Sequence, residues 1–165
     1  MSEQNAEIIR RHFRLEELGD SDSVLADMVE NPRYIIPGMF EEQLDGRADI
    51  RRVHTGHDAI RSIHDNLFGA FEQLHIDVVS LFTTDTHGCA EIDVHGVLAG
   101  AFDGIEAPGT YVHIMHVSIF TFEKGKISSE SVYYDRRELM RQVGMREEVV
   151  GEVGARRASP RSGRP

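Results

Sequence analysis

An acid, an imidazole and a phenol are the side chains of this chain that could move a proton on carbon. The acid is Asp135, which follows Tyr133-Tyr134 at the end of a short alternating segment. A carboxyl facing an apolar chamber has its pKa lifted from about 3.9 toward neutrality, because desolvation disfavours the charged form, and such a group suits proton abstraction. The imidazole is His116, which shares one face of the Tyr111–Phe122 segment with Ser118 and Phe120. Adjacent strands could bring it to Asp135, where each would tune the other. The phenol is Tyr34, able to donate to a carbonyl or an enolate. Phe102, Ser118, Ser131 and Tyr133 are the expected substrate-binding residues around them. Each also has a plainer reading. Asp135 could cap the following helix on amides near Arg137 and Glu138, His116 could be a satisfied core histidine, and the Tyr34 hydroxyl could bond to backbone.

Spacing excludes other chemistry. His113 and His116 are three apart on one strand and face opposite ways, so they do not pair as metal ligands. No Cys/His cluster has zinc spacing and no Gly-x-Ser-x-Gly elbow occurs. The glycines at 96, 100, 104 and 109 sit in a hairpin context with no Gly-Lys-Ser/Thr after them, so they cradle no phosphate. The expectation is therefore no metal and no cofactor. Asp93 and His95 fall on the polar side of an alternating strand and are not a catalytic pair. His54 and His57 flank the start of a helix, as rim or surface residues, and His64 lies near that helix's apolar stripe. Cys89 reads as a small strand residue.

The elements that must position these groups run helices first, strands after. Residues 5–18 place Ile9, Phe13 and the Ile8–His12–Leu15 row on one broad face, closed by Gly19-Asp20. Residues 23–30 read as a second helix ended by Asn31-Pro32. A long polar connection, 37–56, reads as a lid or as disordered. Thr55 and Asp58 resemble a capping box for a third helix reaching Gln73. Strand patterns then follow at hairpin spacing, which predicts an antiparallel sheet. Ile76, Val78, Ser80 and Phe82 share a face. Ala90, Ile92, Val94, Gly96 and Leu98 alternate with Glu91, Asp93 and His95. The 111–122 strand is apolar on both faces, and a second copy of the chain covering its outer face is the economical explanation. On the last strand Ser129, Ser131, Tyr133 and Asp135 share one face, and Glu130, Val132 and Tyr134 the other.

The chain has 165 residues, 40% hydrophobic and 28% charged, which predicts one globular domain over 1–150. The formal charge is −10. Residues 151–165 hold four arginines against one acid, +3, which leaves −13 for the rest. So acidic a body repels phosphate backbones, arguing against nucleic acid. The Gly/Pro/Ser/Arg tail, 151–165, reads as disordered. No apolar run approaches the roughly 20 residues of a membrane span. A polar N-terminus and a lone cysteine fit the reducing cytoplasm.

The glycine-rich segment Gly96-Val97-Leu98-Ala99-Gly100-Ala101-Phe102-Asp103-Gly104-Ile105 with Pro108-Gly109, the strand and turn Phe120-Thr121-Phe122-Glu123-Lys124-Gly125-Lys126-Ile127, and Tyr134-Asp135 followed by Leu139-Met140-Arg141-Gln142-Val143-Gly144 together resemble SnoaL-like polyketide cyclases. These belong to the cone-shaped nuclear transport factor 2-like superfamily. The resemblance implies an α+β fold, three helices packed on a strongly curved antiparallel sheet with a short C-terminal helix. It also implies that the Asp135 face is the inner one and that Asp135 is the general acid/base. The implied activity is cofactor-independent acid/base catalysis, by an aldol-type cyclase, isomerase or lyase, on a small but bulky apolar, oxygenated organic substrate. A non-catalytic binding module is the alternative outside catalysis. An epoxide hydrolase-like enzyme is the alternative within it, but it wants an Asp–Arg–Asp set, and no inward Arg is evident on the strands. Leu98, Ser131 and Pro108 stand where relatives often carry His, Trp and Thr.

Overall fold

The computed structural model describes residues 2–37 and 51–145, leaving aside the side chains of Pro37, Arg51 and Arg52. Most of the expected lid and all of the 151–165 tail lie outside the described residues. Helix α1 (Glu3–Glu17) starts where the Ser2 hydroxyl accepts from the Asn5 amide, and α2 (Ser21–Ala26) where Asp20 accepts from Ser23. Strands β1 (Met28–Pro37) and β2 (Arg51–Thr55) precede α3 (His57–Gly69). Then come β3 (Phe71–Thr83), β4 (His87–Leu98), the two-residue pair β5 (Ala101–Phe102) and β6 (Ile105–Glu106), β7 (Tyr111–Glu123), β8 (Lys126–Tyr134) and α4 (Arg136–Gln142). Six strands form one curved sheet in the order β2-β1-β8-β7-β4-β3. The α+β class and curved sheet are those expected.

Helices α1 and α3 bury one face each against this sheet. Ile9, Phe13, Ile60, Ala90, Ile92, Phe120 and Ile127 are all at most 1% exposed and form the centre of the main core. A second cluster, with Leu98, Ile105, Val112 and Leu139, ties the β5–β6 hairpin and α4 to the sheet's other end. Strand β4 buries Ala90, Ile92, Val94 and Leu98 as the alternation predicts.

Four local readings are corrected. The second helix ends at Ala26, not Glu30, because Met28 turns into the core and opens β1, which pairs parallel with β8. Pro32 is accommodated where that register shifts, between Met28 and Arg33, a place that lacks no ladder donor. Thr55 ends β2 instead of capping α3, which starts after Gly56 at φ 87° with no side-chain cap, and α3 stops at Gly69. In β3 a register shift between Val78 and Ser80 adds a residue and reverses the alternation. Phe82 is thereby turned out to solvent, 68% exposed, while Thr83 is buried.

The fourth correction matters most. Opposite β8, Thr121 pairs with Ser129 and Phe122 with Ile127, so Ser128 is an extra residue. Beyond it Glu130 and Val132 are buried and Tyr133 is exposed. The Ser131, Tyr133 and Asp135 side is the outer one.

These placements predict a contrast in stability. Phe120→Ala should cost about 3–5 kcal/mol, whereas Phe82→Ala should stay within about 0.5 kcal/mol. Urea unfolding of both variants checks this, and equal losses would contradict the bulge in β3.

Candidate active site

A cavity of about 460 Å³ opens between α3, the β5–β6 hairpin and the inner face of the sheet. Its walls are apolar, from Ile36, Ile63, Leu67, Ile76, Ile114 and Val132. Polar groups gather at its two ends. The inner end presents Glu16, Glu130, His116 and Tyr34; the outer end presents Asp103 and Tyr134.

The inner end is assembled from five elements. His12 and Glu16 lie one turn apart on α1, the spacing that places two side chains on one helix face. His12 Nε2 is 3.2 Å from Glu16 Oε1 and 3.2 Å from Glu130 Oε2 of β8. His64 of α3 brings its Nε2 to 3.3 Å from the same Glu16 oxygen. Ser118 of β7 donates to Glu130 Oε1 at 2.8 Å, fully buried. Tyr34 of β1 sets its ring 5.9 Å from that of His64. His12 and His64 have no exposed surface, and Glu16 and Glu130 almost none.

Burial alone would push the His12 imidazole down, but the carboxylates of Glu16 and Glu130 outweigh it and raise His12 to about 10. Burial would raise Glu16, and the neighbouring imidazoles, His12 first, hold it below the usual carboxylate range. Burial is the larger influence on His64 and His116 and lowers both, against the partial opposition of Glu16 and Glu130; charged His12 lowers His64 further. Tyr34 is driven well above the ordinary phenol value, first by burial and then by the same two carboxylates. The chamber's inner end therefore presents one neutral imidazole, His116, and the protonated Tyr34 phenol, with charged His12 and neutral His64 buried behind Glu16 and Glu130.

At the outer end the hairpin turns through Asp103 at φ 50° and Gly104 at φ 72°. The Asp103 carboxylate accepts from the Tyr134 hydroxyl at 2.6 Å and from Arg136 Nε at 2.8 Å. Phe102 packs between Phe71 and Tyr134.

Of the residues singled out from the sequence, Tyr34, Phe102, His116 and the rim residue His54 line the cavity. Ser118 stands behind it, bonded to Glu130. His57 is tied to the Val29 carbonyl at 2.8 Å. Ser131, Tyr133 and Asp135 do not reach the cavity, contrary to the inward face expected of them. Asp135 is exposed, and its Oδ1 accepts from the amides of Arg137 at 2.9 Å and Glu138 at 3.3 Å, the helix-capping alternative. It borders only a shallow outer recess with Met115, Tyr133 and an edge of His116. Asp93 and His95 lie on the outer face, where Asp93 contacts His113 at 2.6 Å. Sequence reasoning missed Glu16 and Glu130. The four-residue step from His12 to Glu16 was a usable signal; Glu130 was passed over because the resemblance put the opposite side of β8 inward.

A family model for SnoaL-like polyketide cyclases matches residues 35–143. The chain belongs to the SnoaL-like polyketide cyclase family. Solved structures agree on the architecture. A protein described as a SnoaL-like polyketide cyclase from Jannaschia sp. CCS1 superposes with a TM-score of 0.70 at 19% identity, over 85% of this chain and 91% of its own. One described as a polyketide cyclase from Xanthomonas campestris pv. campestris gives 0.67 at 23%, over 85% and 96%. The epoxide hydrolase/cyclase-like enzyme SalBIII, of pyran ring formation in the polyether salinomycin, gives 0.61 at 21%, over 83% and 95%. At these identities the SnoaL-like neighbours establish the fold. Among curated proteins, none matches this sequence.

The charge arrangement at the inner end predicts a particular stability profile. His12 titrates higher in the folded chain than the ordinary 6.5, so its stabilisation is complete below pH 6.5 and is lost as pH rises through about 10. Glu16 is lowered, so its contribution is present above its ordinary 4.5 and lost on acidification. His64 and His116, also lowered, subtract stability below pH 6.5. Urea midpoints of the wild type, with a chelator present so that no cation competes, should peak near pH 6.5. His12→Gln should flatten the alkaline limb. A wild-type midpoint unchanged from pH 7 to 10 would contradict the placement of His12.

Proposed function

We propose that this chain is an enzyme that moves a proton on a bulky apolar, oxygenated metabolite, as a cyclase, isomerase or lyase of polyketide cyclase type. The observation that carries the reading is His116 Nε2, buried without a hydrogen-bond partner, on the wall of an apolar chamber whose inner end holds two carboxylates. A neutral imidazole there can take a proton from carbon beside a carbonyl, and Glu16 and Glu130 favour the imidazolium that results. The Tyr34 phenol, kept protonated, is the donor for the oxyanion that develops. The imidazolium then returns its proton to the product, at carbon for a shifted double bond or at oxygen for ring closure. The apolar walls and a volume within the usual range of ligand pockets support a largely hydrocarbon substrate.

A second reading, epoxide opening, is favoured by one observation, the Asp103–Arg136 ion pair at the outer end. There Asp103 would activate water. The two readings separate by mutation, assayed on aromatic polyketide mimics and on epoxides. With acid/base catalysis at the inner end, His116→Asn lowers kcat at least about 100-fold and Tyr34→Phe about 10-fold or more. Asp103→Asn then has a lesser effect, and Asp135→Asn, retaining a cap, leaves kcat unchanged. The opposite ranking of His116 and Asp103 would favour epoxide opening, and a ligand bound but never turned over would favour a binding module.

The same reading includes a homodimer through the outer sheet face. Tyr111, Met115, Val117, Ile119 and Tyr133 are 37–60% exposed there and form an apolar strip. Light scattering should find twice the chain mass for the wild type and the single mass for Val117→Glu. A monomeric wild type at micromolar concentration would refute it.

A further inference from the structure

We propose that His12, Glu16 and Glu130 form a binding site for one divalent first-row transition-metal ion at the inner end of the cavity. The inference goes beyond the proton-transfer reading and shares with it the cavity and the carboxylates Glu16 and Glu130.

Geometry is the first support. One nitrogen and two carboxylate oxygens, from His12, Glu16 and Glu130, lie within 4.8 Å of one another, all buried. His12 Nε2 stands 3.2 Å from each oxygen. Ligand atoms at about 2.1 Å from a shared ion are separated by about 3.0 Å in an octahedral arrangement and about 3.4 Å in a tetrahedral one. Both separations from His12 Nε2 fall between, and the two carboxylate oxygens lie within 4.8 Å of each other.

The second support is polar atoms left unsatisfied. Despite the 3.2 Å contacts, His12 Nε2 and Glu130 Oε2 make no hydrogen bond of acceptable direction, and neither touches solvent. Buried polar atoms rarely go unpaired. An ion among three lone pairs requires no N–H aimed at an oxygen, so it accounts for close approach without alignment. Charge gives a third support. A proton on His12 would leave the trio with one surplus negative charge, whereas a divalent ion on neutral imidazole and two carboxylates brings the sum to zero.

One ligand has a hydrogen-bonded outer partner: Ser118 donates to the Glu130 oxygen not used for the ion, at 2.8 Å, while His64 stands 3.3 Å from Glu16 without an aligned hydrogen bond. His12 is sealed behind the cavity, while Glu16 and Glu130 line it. Three protein ligands with free positions toward a chamber are the arrangement of a working rather than a structural ion. Such an ion would accept a substrate oxygen on the wall that His116 shares. One imidazole with two carboxylates suits manganese, iron, cobalt, nickel or zinc.

The test uses the full chain, stripped with EDTA and titrated with ZnCl2 and CoCl2 without substrate. One equivalent should bind with a dissociation constant in or below the micromolar range, and Co2+ should give visible absorption of an N/O site. Glu130→Gln should weaken binding at least tenfold, with circular dichroism confirming that the variant folds. Should it not fold, the wild type decides alone, since crystals soaked in zinc should show an anomalous peak among His12, Glu16 and Glu130. Absence of saturable binding, unchanged affinity in a folded Glu130→Gln, or a peak instead at His75, His95 and His113 on the outer face would overturn the proposal. No substrate enters these measurements, so a failure of turnover leaves the metal site standing, and absent metal leaves the His116 reading standing.

Discussion

Two carboxylates buried together under an apolar chamber are the constraint on which the rest depends. Glu16 and Glu130 come from the first helix and the last strand, and neither is tolerable in that position without positive charge between them. His12 supplies it, in contact with both. Removing one member of such a set leaves an uncompensated buried charge and costs about 3–5 kcal/mol. The contact ties α1, which packs mainly on β3 and β4, to β8 beneath the cavity.

The inner and outer ends of the chamber differ in kind. At the outer end Asp103 is matched by Arg136 and by the Tyr134 hydroxyl, an acid with its counter-charge on the hairpin and α4. At the inner end acids outnumber cations, and two imidazoles lowered by burial stand beside them. An apolar substrate entering past Phe102 would meet neutral walls and then a region that favours positive charge. That gradient suits a reaction in which a base becomes a cation as it works.

Much of the architecture was legible in the sequence because its signals are periodic. The faces of α1 and α3 and the alternation of β4 and β7 survive in the structure, and the motifs from Gly96 to Gly144 carried the family. The site was less legible: the two faces of β8 beyond Ser129 were separable, but the resemblance assigned the inner one to Asp135, and two bulges remove the periodic check on such an assignment. Strand periodicity is two, so one bulged residue exchanges the faces beyond it. Ser128 does this in β8, sending Glu130 inward and Ser131, Tyr133 and Asp135 outward, and the extra residue near Val79 does it to Phe82 in β3. No composition cue marks either bulge. His12 and Glu16 fell on a recognisable face, but their partner Glu130 is 114 residues further along the chain, and pairing across that separation is a property of the fold.

In this chain the family fold encloses a chamber whose buried acids lie away from the position the family pattern points to. The closing strand ends on Asp135, as the family pattern implies, yet here that carboxylate satisfies the amides that open α4 and faces solvent. The carboxylates that do lie under the chamber are Glu16 and Glu130. The substitutions from the pattern fit this displacement. Leu98, where relatives often carry a His, is fully buried in the apolar cluster that anchors the hairpin, so that position offers packing and no proton. The titratable groups gather instead at the inner end, where His12, His64 and His116 converge on Glu16 and Glu130. Motif position alone points to the side of β8 that faces away from the cavity.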